Sequence, residues 1–156
     1  MTQAELLLHC FKMIIKSNLF PETKPRDWVK ILLFLHKKGY LWVGFEEGKP
    51  ALVAVGYRVK EAPKEYPKNF PDKEEGNKLY VAFMISYAKD KMLPKKLLTK
   101  YLEKYPEVNE IILHDLRDNE KLKTYKRKER ENGKEQIAGT SGSTDVSGRS
   151  PVYRGT

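Results

Sequence analysis

The chain has 156 residues, a length that suits one domain and is too short for two with sizeable cores of their own. Apolar residues make up 40% and charged residues 33%, yet two Trp, nine Tyr and six Phe exclude a wholly disordered chain. Thirty basic against twenty-one acidic residues leave a net charge of +9, which favours anionic partners such as nucleic acid, a phosphorylated cofactor or a membrane surface.

The first element is a helix, because Leu6, Leu7, Cys10, Phe11, Ile14 and Ile15 fall on one stripe at helical spacing. The segment has no basic run before its apolar residues and no small-residue cleavage site, so a cytoplasmic rather than a secreted protein is expected. Its lone cysteine excludes an internal disulfide and a cysteine-rich zinc site, and no metal is expected. After a break at 17–21, Pro25 suits the first turn of a second helix with Trp28, Ile31, Leu32 and Leu35 as its buried stripe and Gly39 as its stop.

Residues 40–45 and 51–59 are rich in Val, Tyr, Trp and Leu and flank the polar turn Glu46-Glu47-Gly48-Lys49-Pro50, which predicts a β-hairpin. Prolines 63, 67 and 71 then mark a long surface connection over 61–78, since proline suits neither a helix interior nor a central strand. KLYVAFMISYA at 78–88 is a near-continuous apolar run, as in a strand buried on both faces. Leu93, Leu97, Leu98, Tyr101, Leu102 and Tyr105 trace a third helix, with Pro94 near its start and Pro106 beyond its end. A short strand at 111–113 follows. Strand, helix, strand predicts parallel neighbours with a right-handed crossover. Asp118 or Asn119 is then expected to cap a last helix carrying Leu122 and Tyr125 on one face.

Beyond Lys126 apolar content collapses, so the reading is one domain over 1–135 and a low-complexity, flexible tail over 136–156. The local charge is uneven: residues 89–104 hold six bases against two acids, and 117–135 hold eight against five. No Walker loop, G-x-G-x-x-G, G-x-S-x-G or H-E-x-x-H occurs, and His9, His36 and His114 lack ligand spacing. They and Cys10 read as packed or surface residues.

In its order of elements the chain resembles the GNAT family of acetyl-CoA-dependent N-acetyltransferases over roughly residues 2–127. GYLWVGFEEGKPALVAVGY (39–57) is similar to the family's central hairpin, KLYVAFMISYA to its cofactor strand, KDKMLPKKLLTKYLEKY (89–105) to its phosphate loop and helix, and IILHDLRDNEKLKTY (111–125) to its next strand and Asn…Tyr helix. The resemblance implies an α/β (α+β) fold with a mixed sheet, a hairpin, a βαβ unit and two N-terminal helices. It implies acetyl transfer from acetyl-CoA to an amine, with the pantetheine arm on the main chain of Met84, Ile85 and Ser86. The pyrophosphate would then lie at the helix N-terminus beside Lys89, Lys91, Lys95 and Lys96, with Asn119 also in the cofactor site and Tyr125 as the acid for the departing thiolate.

Several residues depart from the family's pattern. AKDKMLPKK has none of the glycines that let amides approach a pyrophosphate, and Pro94 removes one amide. The strand offers no carboxylate to deprotonate an amine, and KRKERENGKEQIAG holds no counterpart of the family's final hairpin. Similar truncated proteins among bacteriophage gene products serve as virion or assembly components. The alternative expectation is therefore a non-catalytic basic protein that meets nucleic acid or an acidic protein face.

Overall fold

The computed structural model describes residues 1–116, 121–128, 136–142 and 153–154. Helices α1 (Gln3–Ser17) and α2 (Pro25–Lys38) precede a hairpin of β1 (Leu41–Glu46) and β2 (Lys49–Val59). Strand β3 (Lys78–Ser86), helix α3 (Leu93–Lys104) and strands β4 (Glu110–Asp115), β5 (Lys121–Lys128), β6 (Gln136–Gly142) and β7 (Tyr153–Arg154) follow. The mixed sheet runs in the order β1-β2-β3-β4-β5-β6, with β7 beside β3.

The expected mixed fold is present in its two diagnostic parts. β1 and β2 are antiparallel around Glu47 and Gly48, whose φ of 51° and 77° suit a two-residue turn with both central residues left-handed. β3 and β4 pair in parallel from Lys78↔Glu110 to Val81↔Leu113, with α3 as the crossover. Residues between β2 and β3 form no helix or strand, as the three prolines predict.

Alternation along the strands divides the core into two layers. Val53, Val55, Tyr57, Tyr80, Phe83 and Ile85 pack under α1 and α2 with Cys10, Ile14, Trp28, Leu32 and Leu35. Leu52, Ala54, Leu79, Val81 and Met84 face α3 and meet Leu102, Val108 and Ile111. A bulge shifts the register where Val55 faces Phe83 and Gly56 faces Val81, so Ala82 is the extra residue on β3. Ala82 and Phe83 consequently point into the same layer, and the strand's alternation is reset beyond them.

The last helix expected from the sequence is a strand. Residues 121–128 form β5, antiparallel to β4 with Tyr125 opposite Ile111. Leu122 enters the α1/α2 layer while Tyr125 enters the α3 layer, so two residues expected to share a helix face lie on opposite faces of the sheet. Extended pairing wins because β4 otherwise leaves a row of backbone donors and acceptors unpaired. β6 pairs with β5, so an antiparallel strand pair does stand where KRKERENGKEQIAG suggested none. Within the stretch read as a loose tail, Gln136–Gly142 and Tyr153–Arg154 pair as β6 and β7. Among the described residues, no helix is long and apolar enough to cross a membrane.

Candidate functional site

The parting of β3 from β4 builds the site. Pairing between them ends at Val81↔Leu113, at the Ala82 bulge, while β3 continues to Ser86 and into the loop before α3. β2 holds the other edge of β3 along its whole length, so the edge freed beyond Val81 faces the β4 side. The chain's own β7 meets that edge, in parallel, at Ile85↔Tyr153 and Ser86↔Arg154.

The structure gathers Met84, Ile85, Ser86, Lys89, Lys91, Lys95 and Lys96 at the end of β3, the following loop and the first turn of α3. The four lysines are exposed, and Lys96 Nζ donates to Asp90 Oδ2 at 2.7 Å. The loop's amides are engaged from within. Lys89 and Asp90 N–H donate to Glu46 Oε1 and Oε2, both at 2.9 Å, so one carboxylate bridges consecutive amides as a bound anion would. Ala88 N–H donates to Ser86 Oγ, Met92 N–H to Asp90 Oδ1 and Leu93 N–H to the Asp90 carbonyl. Asp90 thus supplies the negative charge that a helix N-terminus attracts. Pro94 has no amide to offer.

These bonds hold the Glu46 carboxyl below the usual carboxylate range, chiefly through the Asp90 and Lys89 amides. Asp90 is lowered too, first by Lys96 and then by the Met92 amide. A carboxyl lowered in the folded state stabilises above its unfolded value, and that contribution is lost as pH falls through the folded value. The protection of the Lys89 and Asp90 amides against exchange, measured relative to their intrinsic rates at each pH, should therefore be high at neutral pH and fall only in acid below the ordinary glutamate range. The Glu46→Ala variant should show little protection at any pH, and retained protection there would show that the amides are held by something else.

Tyr125 stands apart from this cluster. Its register partner Ile111 faces Leu79, five residues before Met84, or about 16 Å along the strand at about 3.3 Å per residue, and β5 lies two strands from β3. Asn119 lies outside the described residues. Among the described residues, no group of three or more His, Cys, Asp or Glu is placed to hold a metal ion. His114 is buried, with Nδ1 2.6 Å from Tyr80 Oη, and burial pushes the Cys10 thiol up to about 11, so neither is poised for nucleophilic work.

Glu46 is the residue that sequence reasoning missed. It reads as an ordinary turn acid, and its partners lie 43 and 44 positions away, so no local signal could have found it. Comparison with family models, with curated proteins and with solved structures finds no match for this chain.

Proposed function

We propose that this chain is a non-catalytic binding protein on a GNAT-like scaffold, working in the cytoplasm or in a virion and engaging an anionic partner through the lysines of α3 and its preceding loop. The carrying observation is the Glu46 carboxylate on the Lys89 and Asp90 amides, the place the family resemblance gives to a pyrophosphate. A phosphate entering there must displace a carboxylate and meet Asp90 as well, whereas the exposed ammonium groups of Lys89, Lys91 and Lys95 point to a partner that binds from outside.

One observation favours a second reading, acetyl transfer from acetyl-CoA to an amine: β3 leaves β4 at Val81 and leads through the loop at 87–92 into α3, as a pantetheine arm would require. Thermal shift separates the two, because a ligand that binds only the folded state raises its stability by mass action. Under the first reading heparin stabilises at low salt, Lys91→Glu and Lys95→Glu weaken the effect, and acetyl-CoA does no more than a polyphosphate of equal charge. Saturable stabilisation by acetyl-CoA that Glu46→Ala strengthens would replace the first reading with the second.

A further inference from the structure

Between the C-terminal half of α3 and the β1/β2 edge of the sheet lies a groove of about 780 Å³, within the range of ligand sites and separate from the loop at the other end of the helix. Its walls are aromatic and cationic. Trp42 and Tyr101 have ring centroids 5.1 Å apart at 32°, and Tyr101 and Tyr105 lie 4.7 Å apart at 43°, so three half-buried rings form one contiguous row of tilted contacts. The Arg58 guanidinium sits 4.7 Å from the Tyr105 ring centroid, and its Nε donates to Tyr101 Oη at 3.3 Å.

The row has a dedicated seat. A Cβ on Gly56 would lie 2.6 Å from the Trp42 ring, so only glycine lets the indole lie this close to the β2 backbone. Above the rings, Lys100 and Lys104 stand one helical turn apart on the exposed side of α3 and both line the groove. Two acids also line it. Glu107 is paired with Arg58 at 2.5 Å, and Glu74 is exposed at the rim.

Resting on the reading of α3 as a basic interface, we propose that its partner is single-stranded nucleic acid, with bases on the Trp42–Tyr101–Tyr105 row and the phosphate chain along Lys100 and Lys104. Aromatic rings beside a cationic track bind bases without reading sequence, since every base has a π-face. An acidic peptide would satisfy the lysines and leave the rings unused. Arg58 keeps its guanidinium on Tyr105 and its charge on Glu107, so the cation that orders the row stays fixed as a strand enters.

Binding of a labelled twelve-nucleotide oligo(dT) to the full chain, compared with heparin and polyglutamate, tests this. Trp42 is the indole at the groove, whereas Trp28, a residue of α2, is buried in the layer on the other face of the sheet, so oligo(dT) should quench the emission and heparin should not. Tyr105→Leu should weaken oligo(dT) about tenfold and leave heparin unchanged, while Tyr105→Phe keeps wild-type affinity. Lys100→Gln with Lys104→Gln, both exposed and no threat to folding, should flatten the logarithmic salt dependence for oligo(dT) by about 1.4, from about 0.7 per phosphate contact on a single strand. Heparin binding without oligo(dT) quenching, or polyglutamate matching oligo(dT), overturns the nucleic-acid assignment and leaves the basic interface standing. Binding of none of the three overturns both.

Discussion

Arg127→Met should destabilise the fold by about 3 kcal/mol in urea unfolding, although the residue sits in what reads as a solvated charge run. From β5 its guanidinium reaches the end of α3 and the turn beyond. Nη2 donates to the carbonyls of Leu102, Tyr105 and Val108 at 3.2, 3.1 and 2.5 Å, and Nε donates to the Val108 carbonyl at 2.9 Å. The last carbonyls of a helix lack intrahelical partners and carry its negative dipole end, so one cation here satisfies several acceptors. Methionine keeps the stem's packing and removes every donor, and hydrogen bonds to charged groups are worth roughly 1.5–3 kcal/mol each with strong non-additivity. Arg127→Lys should fall between, because an ammonium cannot span the same carbonyls. A loss below about 1 kcal/mol for the methionine variant would show that the carbonyls find water instead. The variant also loosens the backbone of Tyr105, so oligo(dT) affinity should fall with it.

Gly76→Ala should cost about 3 kcal/mol or more and lower Tm by roughly 10 °C. Gly76 ends the long connection with φ of 100°, and a Cβ there would lie 2.2 Å from the Val59 carbonyl oxygen and 2.4 Å from its carbon. Those are backbone atoms of β2, so relief requires moving the strand or re-routing the entry to β3. Gly48→Ala provides the contrast. Its φ of 77° is similarly left-handed, but a Cβ there would meet nothing within 4 Å, so only local strain of about 1 kcal/mol is expected. Equal losses for the two variants would mean that the approach to Val59 is relieved at no cost.

The sequence alone determined the three helices, the hairpin and the parallel β3/β4 pair, because each rests on a local pattern: a helical stripe, a turn between apolar strands, and an apolar run followed by an amphipathic helix. Tertiary structure decided residues 121–128. Leu122 and Tyr125 fit a helix by spacing, but the open edge of β4 draws the segment into the sheet, where Thr124 and its neighbours pair with β4 on one side and β6 on the other. The chemistry of the candidate site was decided there too. The lysines around α3 were legible as a charge cluster, whereas Glu46, Arg127 and the seat of Trp42 on Gly56 are contacts between distant residues. Periodicity reports which face of its own element a residue occupies. Which amide a carboxylate bridges, or which carbonyls a guanidinium holds, depends on how strands far apart in the chain come to lie side by side, and only the folded sheet fixes that.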